Sequence, residues 1–330
     1  MNRIIITCGD VNGIGPEIIL KSITNPRFNN KQFLVIIPQN VFEKTASLVN
    51  FNHDFSLVKK ISDIKGQKKN INIIALSTVR INPGRPTIIS GETSFKALMT
   101  AKELLSQDIS NILVTAPISK ESFELSKINF PGHTELLASW FSTENYLMTF
   151  ISNTFKAALL TIHESIAKVP KLITKSLLKK KLDILYNSIK FDFAETSPQI
   201  AVLGLNPHSG ENGRIGHEDI SIIKPFIENY FPKIIDGPFV PDAFFANKLY
   251  RNYDFTLGMY HDQILIPFKL INFNSGVNFT AGLPIIRTSP DHGTAFDIAW
   301  QNKANESSMV EAIKWALKIK SNRLKYSHEG

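Results

Sequence analysis

Three short apolar runs each end at a histidine, and that pattern constrains what this 330-residue chain can fold into more than any other feature. Ala157 to Ile162 leads into His163, Ile200 to Leu205 into Asn206-Pro207-His208, and Phe255 to Tyr260 into His261. Runs of this length bounded by turn residues read as strands buried on both faces. Arg3 to Cys8, Phe33 to Ile37, Ile71 to Ala75 and Asn111 to Thr115 repeat the pattern earlier in the chain. Between them lie helical segments such as Glu92 to Leu105, with Phe95, Leu98, Ala101, Leu104 and Leu105 near one face. Strands alternating with helices predict an α/β protein with a largely parallel sheet. In such sheets ligands collect at the carboxyl ends of the strands, so the three histidines, 45 and 53 residues apart, are expected to converge there. Three neutral imidazoles are the protein's share of a catalytic metal site with one position left open. The spacings match no local zinc motif, and each histidine taken singly also reads as a hydrogen-bonded structural residue.

A single core stops growing at roughly 250 to 300 residues, so the length predicts two domains. One cysteine, Cys8, excludes an internal disulfide framework and suits a reducing cytoplasm. The N-terminal apolar run is too short for a signal peptide, and no run approaches the roughly 20 residues that span a bilayer. Neither export nor a membrane span is expected. The net charge of +8 could suit nucleic acid, but Lys175, Lys179, Lys180 and Lys181 fall on a helix read as solvated, without interleaved aromatics. A small anionic substrate is the better match to that charge.

The stretch Gly258 to Ala299 concentrates polar groups that packing does not require. Lys269, Asn278 and Arg287 recur at nine-residue spacing, and Asp291-His292-Gly293-Thr294-Ala295 reads as a turn opening a helix. Buried polar groups cost several kcal/mol unless paired, so this segment is expected to belong to a site. Lys269 and Arg287 offer charge-assisted bonds to phosphate or carboxylate, with ordinary salt bridges as the alternative. Gly9-Asp10-Val11-Asn12-Gly13-Ile14-Gly15-Pro16-Glu17 reads as a strand-turn-helix, and its glycines miss the GxGxxG spacing. It is either a tight βα turn or a ligand-facing loop. Thr115 to Lys120 follows a strand, and Phe130-Pro131-Gly132-His133-Thr134-Glu135 leads into a helix beginning near Thr134. His133 and Thr134 at that helix start present an imidazole and a hydroxyl to an anion, or simply cap a surface helix. Asn206 to Gly216 reads as an active-site rim, and Asp242 as a helix cap or, as the alternative, a carboxylate orienting a ligand residue; Val310 to Leu324 is an amphipathic C-terminal helix. His53, His217 and His328 read as surface residues.

Assembled, these motifs resemble the 4-hydroxythreonine-4-phosphate dehydrogenase family of pyridoxal-phosphate biosynthesis. The motifs GDVNGIGPE, TAPISK, FPGHTE, TIH, GLNPHSGENGRIG, GMYHDQ, GVNFTAGLPIIRTS and DHGTAFDIA carry the resemblance nearly end to end. It implies the isocitrate/isopropylmalate dehydrogenase-like fold, with two α/β domains, an interdomain active-site cleft, and a homodimer whose partner chain helps complete each site. Residues 1–130 plus 285–330 would form the nucleotide-side domain and 131–284 the metal and substrate side. Metal ligands map onto His163, His208 and His261, and substrate-binding positions onto His133, Thr134, Lys269, Asn278 and Arg287. The HGTA turn resembles the adenosine-binding loop of the wider superfamily, which extends cofactor contact to His292, Gly293, Thr294 and Ala295, with Asn305 added. The implied reaction is metal-dependent oxidation of 4-phosphooxy-L-threonine by NAD, or NADP, then decarboxylation to 3-amino-2-oxopropyl phosphate. Zinc, cobalt or magnesium would serve, one ion per subunit, and the general base is open among metal-bound water, Lys269 and a neighbouring carboxylate. Alternatives are a dehydrogenase of threonate or erythronate 4-phosphate and a phosphate acyltransferase of the same fold. Two departures stand out: Val11-Asn12 replaces the usual Pro-Ala, and Trp300 replaces a usual glycine.

Overall fold

The computed structural model describes residues 3–107, 112–130, 132–230 and 233–327, so Asn111, Pro131 and His328 lie outside the described residues. The chain packs as two compact units, Met1–Ser142 with Pro284–Leu317, and Thr143–Leu283 with Lys318–Gly330. The division expected from the motifs falls at 130/131 and 284/285. The helix carrying His133 and Thr134 instead packs with the first unit, and the last residues of the C-terminal helix pack with the second.

In chain order the strands are β1 (Arg3–Thr7), β2 (Gln32–Pro38), β3 (Phe55–Val58), β4 (Ile71–Leu76) and β5 (Ile112–Thr115) in the first unit. The second unit contributes β6 (Leu147–Ile151), β7 (Lys156–Leu159), β8 (Ile200–Leu203), β9 (Ile235–Phe239), β10 (Phe255–Gly258) and β11 (Val277–Ala281), and β12 (Ile286–Pro290) returns to the first. The first unit pairs its strands in the order β3-β4-β2-β1-β5-β12, every pair parallel. Ile4, Ile5, Ile6, Leu34, Val35 and Ile36 are all fully buried, as strands covered by helices on both faces must be. Full burial of each such side chain contributes about 1.5–3 kcal/mol. From β1 the chain runs to β2 on one side and later to β5 on the other. The crevice beyond the ends of β1 and β5 is therefore the switch point at which such sheets bind ligands.

The second unit orders its strands β11-β6-β7-β10-β8-β9. The pairs β11/β6 and β6/β7 are antiparallel, while β7, β10, β8 and β9 run parallel. Phe150, Phe155, Phe244 and Phe268 form an aromatic core here, with Phe155 and Phe268 ring centroids 5.9 Å apart. No helix among the described residues is long and apolar enough to cross a membrane.

Two local expectations are corrected. The turn at 292–295 does not open a helix: residues 296–300 form turns, Ala295, Trp300 and Asn302 adopt left-handed backbone, and the next helix starts at Ser307. Repeated left-handed residues break the helical hydrogen-bond ladder that the sequence spacing suggested. Lys181 is also not solvated. Its ammonium donates to the Tyr146 carbonyl at 2.7 Å and lies over the Tyr146 ring, and burial pushes its pKa down to about 8.

Candidate active site

The metal-ligand candidates lie in the second unit, on three neighbouring parallel strands. Strands β7, β10 and β8 are adjacent and run the same way, so the segments after them leave one edge of the sheet together. His163 follows β7, His261 follows β10, and His208 follows β8. The ladder between β7 and β10 continues past the strands. The Leu160 N–H donates to the Gly258 carbonyl at 2.8 Å, and the Thr161 N–H and Oγ1 both donate to the Met259 carbonyl, at 3.3 and 2.6 Å. These bonds bring the rings of His163 and His261 to 6.1 Å between centroids. Asp262 Oδ1 lies 2.7 Å from His261 Nδ1, the kind of carboxylate contact that fixes an imidazole's tautomer and leaves Nε2 for an ion.

His208 is not gathered with them: no group of three His, Cys, Asp or Glu side chains among the described residues is close enough to hold an ion. His208 also opens a run of unusual backbone. From His208 through Gly213 every residue is left-handed, with φ from 43° to 86°. Such a conformation costs non-glycine residues roughly 1–2 kcal/mol each. His163 is left-handed as well, at φ 44°. Outliers of this kind cluster where function holds them. The donor chemistry suits a divalent ion, with two imidazoles close, one braced by a carboxylate, and a third at the same sheet edge.

Lys269 and Asn278 also lie in the second unit. Lys269 is exposed on the helix His261–Asn272, and Asn278 sits on β11 opposite Phe150 of β6. The nine-residue spacing therefore distributes its three residues over a helix and two strands, since Arg287 is on β12 of the first unit.

In the first unit Arg287 is 3% exposed and donates to Thr115 Oγ1 through Nη2 at 2.9 Å and Nε at 3.3 Å. Strand β12 lies beside β5, which places Arg287 next to the end of β5 where Thr115 sits. Burial lowers the guanidinium pKa to about 10, against a raising contribution from Glu135, so the cation persists at neutral pH. His133 opens the helix His133–Trp140. Burial first, and the Arg287 charge second, hold its imidazole well below the usual histidine range. Its Nε2 is buried with no hydrogen-bond partner among the described residues, and Thr134 beside it is buried. A buried cation, a neutral imidazole with an unpaired nitrogen and a helix start together suit a small anion.

The depressed His133 pKa carries a pH prediction. The unfolded chain takes up a proton at about pH 6.5 that the folded chain refuses. This contribution is present at neutral pH and above, and it is lost as pH falls below the unfolded value toward the folded one. Urea denaturation at about pH 7.5 and 5.5 should therefore show wild type losing more stability on acidification than His133→Gln; equal losses would remove the effect.

Of the nucleotide candidates, Thr294 lies against the Gly9–Gly15 loop of the same unit. The Ile14 N–H donates to the Thr294 carbonyl at 3.0 Å, and a Cβ on Gly13 would lie 2.8 Å from that oxygen. The two departures from the family pattern touch: the Trp300 indole N–H donates to the Val11 carbonyl at 3.0 Å. Asn12 is fully buried and ties its side chain to the Asn82 N–H, the Arg85 carbonyl and Thr87 Oγ1. Asp10, its pKa raised by burial, accepts from Ser122 at 2.6 Å, Ser90 at 3.0 Å and the Asn12 N–H at 2.9 Å. His292 Nδ1 lies 3.1 Å from the Gly293 carbonyl, and Ala295 is left-handed. A Cβ on Gly293 would meet nothing within 4 Å, so packing does not require the glycine and open space faces it, as a nucleotide-binding turn needs. Asn305 acts locally, its Oδ1 accepting the Ser307 N–H at 2.8 Å at the start of the last helix. Asp242 lies in the first turn of the helix Pro241–Ala246 without acting as its cap. Two residues that sequence reasoning passed over, Gln263 and Asp219, are buried behind the histidine segments, and the only sign of the first was its place in the His-Asp-Gln triplet.

A parallel sheet with a Gly-rich switch-point loop and a buried anion corner in the first unit, and strand-end histidines in the second, define an α/β protein whose candidate ligand sites lie at strand ends. Over residues 29–316 the chain matches the model of the pyridoxal phosphate biosynthetic protein PdxA. It is 37% identical to the 4-hydroxythreonine-4-phosphate dehydrogenase of Bacteroides thetaiotaomicron over 97% of this chain and 89% of that one. Identity to the same enzyme of Aquifex aeolicus is 39%, over 95% and 97% of the two chains. The crystal structure of 4-hydroxythreonine-4-phosphate dehydrogenase from Klebsiella pneumoniae matches with a TM-score of 0.83 and 34% identity, covering 96% of this chain and 98% of that one. The chain belongs to the PdxA family of 4-hydroxythreonine-4-phosphate dehydrogenases, oxidoreductases of pyridoxal phosphate biosynthesis.

Proposed function

We propose that the chain oxidises the secondary alcohol of 4-phosphooxy-L-threonine with NAD⁺ in a metal-dependent reaction, and that the resulting β-keto acid loses CO₂ to give 3-amino-2-oxopropyl phosphate. The observation that carries the substrate class is the buried Arg287 beside a neutral His133 whose Nε2 has no hydrogen-bond partner among the described residues. That corner suits a phosphate monoester, with Arg287 offering paired N–H donors and His133 and Thr134 completing the contacts. A divalent ion held by His163, His208 and His261 supplies Lewis acidity toward the substrate hydroxyl and NAD supplies the hydride acceptor. Lys269 and Asn278 orient the amino-acid end, and Lys269, exposed in the free chain, is the candidate to take the hydroxyl proton. Residues 292–295 hold the adenosine part of the cofactor, with NADP as the alternate.

The chain acts as a homodimer in this reading. On the helix His261–Asn272 and just beyond it, Ile266, Leu270 and Phe273 are 59%, 81% and 84% exposed, in a stripe that includes Lys269. An apolar stripe around a proposed active-site lysine suits coverage by a second copy.

Two measurements test the reading. Absorbance of NADH is followed with 4-phosphooxy-L-threonine and, separately, with threonate 4-phosphate. Preference for the amino-acid substrate is expected, and preference for threonate 4-phosphate would reassign the chain to the related hydroxy-acid dehydrogenases. Gly293→Ala, which meets no atom of the chain, should leave thermal stability unchanged and raise the KM for NAD several-fold. An unchanged KM would move the nucleotide away from this turn.

A further inference from the structure

The segments carrying the three histidines are joined by one chain of hydrogen bonds, and its central member is a side chain with no part in the proposed chemistry. Gln263 Oε1 accepts the Met259 N–H at 2.6 Å, two residues before His261. Its Nε2 donates to the Gly204 carbonyl at 2.7 Å, four residues before His208. The Met259 carbonyl in turn accepts from Thr161, two residues before His163. The three strand ends are thus laced in the order Thr161, Met259, Gln263, Gly204. Only the link from β10 to β8 depends on a side-chain amide, because the bonds to Gln263 replace a strand ladder that has already ended. Gln263 is 8% exposed, so water is a poor substitute for either bond.

The surroundings are shaped to this amide. A Cβ on Gly258 would lie 3.2 Å from Gln263 Oε1 and 2.2 Å from Ile264, so the strand passes close only because residue 258 has no side chain. Past Gly204, Asp219 accepts the Leu205 and Asn206 N–H groups at 2.8 and 3.0 Å and the Asn206 side chain at 2.8 Å. The chain is therefore anchored just before it enters the left-handed run at His208.

We infer that Gln263 is a positioning residue for the metal ligands, fixing the spacing between the His261 and His208 segments through their backbones. This rests on the reading that His163, His208 and His261 hold a divalent ion. It departs from the usual outer contacts, which act on ligand side chains; here one amide sets two loops. Groups behind metal ligands typically change affinity by about 10- to 100-fold.

The test uses Co²⁺ alone on the full-length protein, with affinity from calorimetry and geometry from the visible absorption bands of the bound ion. Gln263→Met keeps length and burial and removes both bonds. Ser152→Ala is the control: it removes a buried 2.7 Å bond to Asn272 in the same unit, away from the histidines. Gln263→Met should weaken Co²⁺ binding about 10- to 100-fold with altered bands, while Ser152→Ala leaves both as in wild type. If Gln263→Met does not fold, Gln263→Glu, which keeps the acceptor for Met259 and loses the donor to Gly204, should show the same direction. Wild-type affinity and bands in the folded Gln263 variant overturn the inference and leave the metal reading standing. Absence of Co²⁺ binding in wild type overturns the metal reading and this inference with it.

Discussion

Replacing Arg287 by methionine is expected to lower kcat/KM for the phosphorylated substrate by about 10²- to 10³-fold and to lower the stability of the free protein as well. The two halves have different causes. Losing a desolvated charged contact to a ligand costs about 2–5 kcal/mol, and Arg287, 3% exposed beside Thr115 and His133, is placed to make such a contact. For the free protein, the buried cation is itself a burden, which is why its pKa falls to about 10. A methionine of similar volume removes that cation but leaves the Glu135 carboxylate uncompensated and the bonds to Thr115 unmade, and breaking a buried charge interaction from one side destabilises the fold. Arg287→Lys should not restore activity, because a point charge cannot reproduce paired planar donors. Steady-state kinetics and chemical denaturation on the same preparations check both halves. Near-normal kinetics in a folded but destabilised variant would make Arg287 a structural residue only.

The second large effect is expected at His261. His261→Ala removes one of the two imidazoles that the β7 and β10 ends bring to 6.1 Å, the one that Asp262 braces. Metal content, measured by elemental analysis after dialysis, should fall below stoichiometric, and turnover should fall by at least about 10³-fold, the several kcal/mol that Lewis-acid stabilisation contributes. Stability without metal should change little, because His261 is partly exposed at the first position of its helix. Retained metal with near-normal turnover would take His261 out of the ligand set.

The parts that the sequence made legible are those governed by local periodicity. Apolar runs ending at His163, His208 and His261 are strands β7, β8 and β10 with short extensions, because a buried parallel strand demands an unbroken apolar run and ends where polar turn chemistry begins. What remained hidden depends on pairings distant in sequence or on backbone geometry. Arg287 meets Thr115 across 172 positions because β12 pairs with β5, a choice that no spacing rule encodes. The left-handed run at 208–213 includes Ser209 and Glu211, neither of which signals such a backbone as their neighbours Gly210, Asn212 and Gly213 do. Nine-residue spacing in Lys269, Asn278 and Arg287 suggested one repeating element and instead crosses three. Lys181 looked solvated on helical periodicity, but Tyr146, from a strand edge remote in sequence, covers it.

The link between Trp300 and Val11 shows the same limit from the other direction. Each departs from the family pattern, and nothing in the linear sequence connects positions 11 and 300. The indole N–H bonded to the Val11 carbonyl makes them one local adjustment around the Gly9–Gly15 loop, with Asn12 fastening the segment at 82–87.

The most direct test of the central claim, a metal-dependent dehydrogenase acting on a phosphorylated hydroxy amino acid, is NADH formation by one preparation before chelation, after chelation and after metal return. With 4-phosphooxy-L-threonine and NAD⁺, NADH should form, cease once the ion is removed, and resume when Zn²⁺ or Co²⁺ is restored. Undiminished NADH formation by the folded, metal-free protein, or none at all with the metal bound, would contradict it.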